Sequence, residues 1–290
     1  MKGTGQAVAH GAASILNAFA TGKGGAVGID LWTRAKVRLR DGAGEMSGFA
    51  ATEPQDSGKL ATSVATKVLQ HYGFEGKLHG EVVTSSNIPT AVGLKSSSAA
   101  ANAVALATAS ALGQETDDDV LVEIGVEASL ECGVSLTGAY DDSFASWHGG
   151  AVLTDNKSRK VEKVLKFPED IRFVILVPPR RALTGSLDPR RFAPIKRISE
   201  LAYAEAFSGR MWEALTLNGI AFSAVLGEDP RPALSALQAG ALGAGLSGKG
   251  PAVVAAVEEK DSKSVRQAFE KFDGRIIETE PNLSRARVES

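Results

Sequence analysis

The segment IPTAVGLKSSSAAANAVALATA, residues 88–109, constrains the fold more than any other part of the chain. A proline and a glycine bracket a short turn, three serines follow, and alanines then continue at helical density. The first N–H groups of a helix have no partner within it and carry partial positive charge, so such a turn can bind phosphate. An ordinary serine N-cap on a packed helix is the alternative. Other motifs have to decide between the two.

Length, composition and charge exclude several classes of protein. The 290 residues suffice for one large or two medium domains, and 43% hydrophobic with 23% charged residues is ordinary globular composition. A formal net charge of −2 argues against nucleic acid or an anionic membrane as the main partner. The single cysteine fits a reducing cytoplasm, where we expect the protein. No apolar run approaches the roughly 20 residues of a membrane span, and the first residues make a poor signal peptide.

Periodicity predicts an α+β order of elements. Alternation in WTRAKVRLR predicts a strand, and the apolar spacing over residues 57–72 predicts an amphipathic helix. GEVVTSS predicts a strand that leads into the serine turn, and Gly113 ends the helix after that turn. Later in the chain the order is strand, helices, strand, helix and strand, which is typical of a ferredoxin-like sandwich. We therefore predict two domains, residues 1–165 and 166–290.

A glycine-rich loop, GALGAGLSGKGP, has to be tested as a P-loop because it contains G-x-x-x-x-G-K from Gly243 to Lys249. Gly250 stands where a P-loop requires serine or threonine, and a proline and an extended strand follow where a helix is required. The segment is therefore not a P-loop. Its backbone amides can still approach a phosphate or a substrate, and a tight β-turn is the alternative.

Carboxylates are concentrated between residues 123 and 142. Glu123, Glu127 and Glu131 lie at i, i+4 and i+8, so they share one face of a predicted helix. Asp141 and Asp142 follow between aromatic residues, in a segment that we predict to be a loop. Such carboxylates are candidates for a base or for a ligand of a phosphate-bound metal. A solvated acidic face is the alternative, which we favour for Glu123 but not for the two aspartates.

Taken in order, these motifs resemble those of the GHMP kinases, a superfamily of galactose, homoserine, mevalonate and phosphomevalonate kinases. Its central motif is P-x-x-x-G-L-G-S-S-A-A, and the matching residues here are Pro89, Gly93, Leu94, Ser96, Ser97 and Ala99. Lys95 replaces a glycine of that motif and Ser98 an alanine. The C-terminal motif of the superfamily is similar to LSGKGPAV. The segment at residues 10–31 occupies the place of the first motif but lacks its P-G-K-x-x-L-x-G-E-H form.

Within that superfamily the chain resembles the archaeal-type shikimate kinases, over nearly its whole length to about residue 257. The segments that carry the resemblance are NAFATGKGGAVGIDL, GLKSSSAAANAV, TGAYDDSFASWHGG and GALGAGLSGKGP. The resemblance implies an N-terminal α/β domain similar to one of a ribosomal protein, followed by a ferredoxin-like domain. It implies phosphorylation of shikimate by ATP with Mg²⁺, in aromatic amino-acid biosynthesis. A kinase of homoserine or another small alcohol, and a nucleotide-binding regulator without catalysis, are the alternatives.

The resemblance also assigns nucleotide and metal roles to individual residues. The turn before the helix would wrap the phosphates, and the expected nucleotide-binding residues are Pro89, Gly93, Leu94, Lys95, Ser96, Ser97, Ser98, Ala99 and Gly248. Ser97 and Glu131 are the expected Mg²⁺ ligands, since Glu131 precedes Asp142 by the interval that the family shows between its metal-ligating glutamate and its catalytic aspartate. Lys95 either contacts a phosphate or points to solvent, and the residues do not favour one over the other.

For the acceptor, the resemblance implies an aspartate that orients or deprotonates the hydroxyl. Asp142 is our choice and Asp141 the close alternative, because aligning Trp147 instead of the glycines that follow it moves the match by one. Shikimate carries a carboxylate and three hydroxyls, so its pocket needs a cation and hydrogen-bonding groups. The candidate residues for this pocket are Asn17, Thr21, Lys23 and Ser247. Four arginines in PPRRALTGSLDPRRF surround a loop that could close over the substrate, with a solvated basic loop as the alternative.

Overall fold

Two β-sheets covered by helices form the part of the chain that the structure describes. The computed structural model describes residues 3–53, 57–168, 170–182 and 188–289. The strands are β1 (Gly3–Leu16), β2 (Lys23–Asp41), β3 (Met46–Ala50), β4 (Leu78–Ser86), β5 (Ala151–Asp155), β6 (Lys160–Leu165), β7 (Ile171–Val177), β8 (Gly243–Leu246), β9 (Val253–Glu258), β10 (Arg275–Thr279) and β11 (Arg287–Val288). The α-helices are α1 (Lys59–His71), α2 (Ser96–Leu112), α3 (Asp118–Glu131), α4 (Tyr140–His148), α5 (Lys196–Phe207), α6 (Met211–Leu226), α7 (Arg231–Gln238) and α8 (Ser262–Phe269).

The first sheet is built around the long antiparallel pair of β1 and β2. On its other edge β2 pairs with β5 near its start and with β4 towards its end. The parallel strand β3 joins β4, and β6 joins β5. The sequence predicted only the second half of β2, because glycines interrupt the apolar residues before it.

Glycines also lie inside β1, where helix α2 packs closely on the strand. A Cβ atom on Gly5 would lie 2.1 Å from the carbonyl oxygen of Ala107 in α2, and one on Gly3 would lie 2.0 Å from that of Ala111. The alanines of α2 and the glycines of β1 therefore allow the same close approach of helix and sheet.

Helix α2 is confirmed as the buried helix that the opening segment predicted. It ends at Gly113, whose φ of 67° is the left-handed conformation typical of a helix C-terminus. Twelve of its 17 residues are buried, including Asn102 and Thr108, since it packs against β1, β2, α1 and α3. Its N-terminus is thereby held at one end of the first sheet.

The second sheet is antiparallel in the order β10-β7-β9-β8. Helices α5 and α6 lie between β7 and β8 in the chain, and α8 lies between β9 and β10. This is the ferredoxin-like order expected from the sequence, and the α+β class with two such parts is confirmed. After β10 the chain returns to the first sheet, where β11 pairs with β1. The boundary near residue 165 stays a prediction.

Across the ranges that the structure describes, no helix combines the length and apolar character needed to cross a membrane.

Candidate active site

A cleft of about 670 Å³ lies at the N-terminus of α2. Its walls come from the end of β1, the start of α1, the segment 132–139, the start of α4 and the loop between β8 and β9. The structure brings most of the sequence-predicted residues to it: Asn17, Gly93, Lys95, Ser96, Ser97, Ser98, Asp141, Asp142 and Gly248. Leu94 and Ala99 lie directly behind this wall in the hydrophobic core, and Pro89 lines a neighbouring cavity of about 480 Å³.

The turn before α2 has the geometry of an anion-binding site. The N-cap residue is Lys95, in a left-handed conformation with φ 62°, and its side chain makes no capping hydrogen bond. The serines from Ser96 to Ser98 therefore form the first turn of the helix instead of capping it. The first N–H groups of an α-helix have no intrahelical acceptor, so N–H groups and hydroxyls are both available at this wall of the cleft.

The loop between β8 and β9 is fixed to this turn by hydrogen bonds. The Ser247 hydroxyl donates to the carbonyl of Gly93 over 2.7 Å and accepts from the N–H of Ser14 over 3.0 Å. The N–H of Gly248 donates to the Ser14 hydroxyl, and the Asn17 side-chain amide donates to the carbonyl of Gly248, each over 3.0 Å. Ser247 is fully buried, so its hydroxyl joins two loops and does not line the cleft.

Gly93 has to be glycine for this junction to form. Its φ is 93°, and a Cβ atom there would lie 2.0 Å from the carbonyl oxygen of Ser247. The loop leads from one strand into the next, as the failed P-loop comparison predicted. The motif match at Gly93 and Ser247 thus marks a contact between loops 154 residues apart in the chain.

Asp141 and Asp142 lie in the first turn of α4, so the prediction that they belong to a loop was wrong. The helix forms here because its other side packs into the core, where Trp147 is fully buried and the carbonyl of Ser143 accepts from Asn102. Tertiary packing therefore outweighs the weak helical pattern of this segment. Asp142 Oδ1 lies 3.1 Å from Lys95 Nζ, which forms an ion pair at the floor of the cleft.

This ion pair excludes the expectation that Lys95 points to solvent, and contact of Lys95 with a phosphate stays a prediction. Its side chain is 9% exposed and is directed to Asp142, not to solvent. Asp141 is held differently, because its Oδ1 accepts a 2.7 Å hydrogen bond from the side-chain amide of Asn156. A Cβ atom on Gly24 would lie 2.5 Å from Asp141 Oδ2, so β2 packs directly against this carboxyl group.

Two groups of the cleft have pKa values shifted towards neutrality. Burial and the charge of Asp142 raise the pKa of Asp141 to about 7, against the opposing effects of Lys95 and Asn156. Burial and the charge of Lys95 lower the pKa of Lys249 to about 8, against the opposing charge of Asp142. Such shifts in a cleft are typical of functional groups.

Glu131 does not reach the cleft. Its side chain is 60% exposed, and its carboxylate lies 2.7 Å from Lys67 Nζ of α1. Glu127, on the same face of α3, lies near Lys67 and Arg159. Basic side chains therefore pair with two of the three carboxylates on this face, those of Glu127 and Glu131, and the geometry gives no support for Glu131 as a metal ligand.

Thr21 and Lys23 also lie outside the cleft. Lys23 Nζ lies 2.5 Å from Glu162 Oε1 and 5.0 Å from the centre of the Tyr203 ring. The Thr21 hydroxyl accepts from the N–H of Lys23 and so belongs to the local turn. The structure places Asn17 alone of the three N-terminal candidates at the cleft.

The arginines of the predicted closing loop have partners where they are described. Arg180 and Arg181 form ion pairs with Glu228 and Glu53, Arg190 pairs with Asp188, and Arg191 donates to the carbonyl of Val225. Residues 183–187 of that loop lie outside the described residues. Nothing in these contacts supports closure over a substrate.

Sequence reasoning missed two residues of the site. Lys249 lines the cleft, but the sequence considered it only as the lysine of a P-loop. Asn156 follows β5 and orients Asp141 from 15 residues further along the chain. Lys249 lay within a recognised motif, whereas no pattern pointed to Asn156.

The residues fit a magnesium ion that arrives with a nucleotide. In the described ranges, no three or more His, Cys, Asp or Glu residues are grouped so that they could hold a metal ion. Mg²⁺ beside a nucleotide needs few protein ligands, since phosphates and water supply the rest. The hydroxyl of Ser97 at the start of α2 is a suitable donor.

Comparison with known proteins gives family and fold. The family described as "GHMP kinases N terminal domain" matches residues 59–150, and that described as "GHMP kinases C terminal" matches residues 196–274. The chain is 40% identical over 285 residues to the shikimate kinase of Methanothermobacter thermautotrophicus, with 96% of each chain covered. It is 41% identical over 275 residues to the shikimate kinase of Thermococcus kodakarensis, with 95% of this chain and 99% of that protein covered.

Solved structures agree with this fold. The homoserine kinase of Cytophaga hutchinsonii has a TM-score of 0.78 at 19% identity, covering 100% of this chain and 98% of that one. The mevalonate kinase of Methanococcus jannaschii has a TM-score of 0.77 at 17% identity, covering 96% and 98%. At this identity these similarities concern the fold alone.

Proposed function

The chain belongs to the GHMP kinases, and we propose that it transfers the γ-phosphoryl group of ATP to shikimate, giving shikimate 3-phosphate and ADP. One observation carries the proposal: the N-terminus of a buried helix and a buried aspartate pair line the same cleft. Relatives named shikimate kinase, aligned over nearly the full length at about 40% identity, point to this acceptor. Synthesis of aromatic amino acids in the cytoplasm is the setting that this reaction fits.

The start of α2 binds the β- and γ-phosphates in this proposal. Its N–H groups and the hydroxyls of Ser96 to Ser98 supply donors at the positive end of the helix dipole. Ser97 would hold Mg²⁺, which neutralises charge on the phosphates when it is bound with the nucleotide. The side chain of Lys95 adds a fixed positive charge at the same wall.

Asp141 is the residue that we propose as the base, and Asp142 stays the alternative. A general base works best with a pKa near the working pH, in a fixed orientation. Asp141 has both, through its raised pKa and its hydrogen bond from Asn156. Asp142 is tied to Lys95, so the proposal gives it a positioning role at the phosphates.

The transfer follows from this arrangement. The lone pair of the shikimate hydroxyl oxygen forms a bond to the γ-phosphorus as its proton passes to Asp141. The bond from the γ-phosphorus to the bridging oxygen breaks, and ADP keeps that electron pair. Most of the acceleration in such reactions comes from positioning and charge stabilisation. The groups of the cleft that hold the phosphates and the acceptor therefore matter more than the base alone.

ADP release measured with and without shikimate tests the proposal. We expect release that depends on shikimate, ATP and Mg²⁺ together. Release that depends instead on homoserine would support the assigned phosphate site but would show that the acceptor is homoserine and not shikimate. If none of shikimate, homoserine or mevalonate stimulates release, the result contradicts the proposed transfer and favours the alternative of a nucleotide-binding regulator without catalysis.

A further inference from the structure

We propose that Lys249 binds the carboxylate of the acceptor and thereby determines specificity for an acidic polyol. This inference rests on the proposed function and names the group that recognises its substrate. It replaces Lys23, which the structure places beside Glu162 and away from the cleft.

Hydrogen bonds made by the two residues before Lys249 fix its place in the loop. Gly248, immediately before it, donates its N–H to Ser14 and accepts from Asn17 through its carbonyl. Ser247, one residue earlier, is hydrogen-bonded to the phosphate turn at Gly93. These hydrogen bonds fix the backbone position from which the long Lys249 side chain extends.

Lys249 is the basic residue best placed for an anion that is not a phosphate. Among the described residues that line the cleft, the basic ones are Lys59, Lys95 and Lys249. Lys59 is exposed at the start of α1, on the rim. Lys95 belongs to the phosphate turn and forms an ion pair with Asp142.

Lys249 also borders the reacting groups. A Cβ atom on Gly248 would lie 3.0 Å from Lys95 Nζ, so the backbone that carries Lys249 reaches the ion pair of Lys95 and Asp142. The carboxyl group of shikimate and its 3-hydroxyl are on ring carbons separated by a single carbon. The cation that binds the carboxylate must therefore lie in the same cleft as the base that serves the 3-hydroxyl. Lys249 and Asp141 both line this cleft, and Lys249 interacts electrostatically with the neighbouring Asp142.

Electrostatics at the site favour an incoming anion. The ammonium group of Lys249 is partly desolvated and lies near a second ammonium group, that of Lys95, and these two effects lower its pKa to about 8. Asp142 faces both lysines and opposes the shift. A carboxylate beside Lys249 relieves this repulsion, so its binding should be strongest below pH 8, where the lysine is protonated.

Steady-state kinetics of Lys249→Met test the inference, because methionine keeps much of the length and removes the charge. We expect the KM for shikimate to rise about 10- to 100-fold, with the KM for ATP changed by less than about 2-fold. Lys249→Arg should recover part of the loss. Lys59→Met, at the rim of the same cleft, is the matched control, and its KM for shikimate should stay within about 2-fold of the wild type.

The methyl ester of shikimate gives a second readout. The wild-type protein should bind the acid much more tightly than the ester by calorimetry, and Lys249→Met should bind both alike. ADP binding measured on the same variant reports that it is folded. An unchanged preference for the acid, or a larger effect on ATP than on shikimate, would overturn the assignment. Absence of shikimate turnover by the wild-type protein would overturn the proposed function itself.

Discussion

Asp141 and Asp142 are neighbours in the chain, but their surroundings differ. Asp141 is 4% exposed and accepts from Asn156, whereas Asp142 is paired with Lys95. Two carboxylates in one site commonly take different roles when their environments move their pKa values apart. The proposed roles, Asp141 as base and Asp142 as positioning residue, therefore rest on single contacts.

Replacing each aspartate by asparagine separates the two roles. Asp141→Asn should lower kcat by about 100-fold or more while ADP affinity changes little, because the base is lost and the phosphate wall is kept. Asp142→Asn should also weaken ATP binding, because Lys95 loses its partner. Steady-state kinetics with ADP calorimetry measure both. A normal kcat in Asp141→Asn would return the role of base to Asp142, the choice made from the sequence.

The raised pKa of Asp141 predicts opposite effects of pH on activity and stability. The carboxyl group must be ionised to accept a proton, so kcat/KM for shikimate should fall as pH decreases below about 7. The folded protein holds this proton more tightly than the unfolded chain does, whose group titrates near 3.8. Burial of Asp141 therefore costs stability that grows as pH rises from about 4 to 7.

Asp141→Asn removes that cost because its amide stays neutral. Thermal unfolding should show the variant to be more stable than the wild type at pH 8, with the difference vanishing near pH 4. Equal differences at both pH values would show that Asp141 does not titrate in this range in the folded protein.

Among the elements, those with a regular pattern could be predicted and those made by tertiary contact could not. The burial of α2 and the C-terminal strands followed from periodicity and from Gly113. No pattern predicted strand β1, because it contains glycines that serve the close packing of α2. Helix α4 was missed because buried contacts at Trp147 and Ser143 form it. Lys249 and Asn156 were missed for the same reason, because contacts between residues distant in sequence bring them to the site.

The close approach of α2 to β1 predicts that even a small side chain in place of a glycine of β1 destabilises the protein. Gly5→Ala places a Cβ atom 2.1 Å from the Ala107 carbonyl, so backbone must move, and we expect a loss of about 2–4 kcal/mol in the free energy of unfolding. Gly125→Ala in α3 is the comparison, since its nearest neighbour is the Ala101 Cβ at 3.3 Å and alanine favours the helix. Denaturant unfolding of both variants should separate them. Equal stabilities would contradict the packing argument.

In the whole molecule, two sheets are joined by the junction of Gly93 with Ser247 and by the returning C-terminal segment. That segment makes backbone hydrogen bonds from Asn282 to Gly28 and from Glu289 to Gln6. The sequence assigned no role to this tail, because a short strand without alternation gives no signal. The tail belongs to the predicted second domain in sequence but pairs with the first sheet.

Removing residues 280–290 should therefore destabilise the first sheet. We expect the midpoint of thermal unfolding to fall by more than about 5 °C, from lost backbone pairing and exposure of the core surface that the buried Ala286 covers in the full chain. Arg285→Met is the control, because it removes only the exposed ion pair with Asp118, and its midpoint should hardly change. An unchanged midpoint in the truncated protein would show that the tail does not contribute to the fold.

In the proposed function, one cleft joins a phosphate-binding helix to an acceptor pocket for shikimate. A competition experiment between acceptors tests this arrangement. The protein is given ATP and Mg²⁺ with equal concentrations of shikimate, homoserine and mevalonate. The phosphorylated products are then identified by mass spectrometry and ³¹P NMR. Competing substrates divide according to kcat/KM, so the product ratio reports specificity without further assumptions. We predict shikimate 3-phosphate as the dominant product. Phosphohomoserine or phosphomevalonate in its place would contradict the assignment of the acceptor.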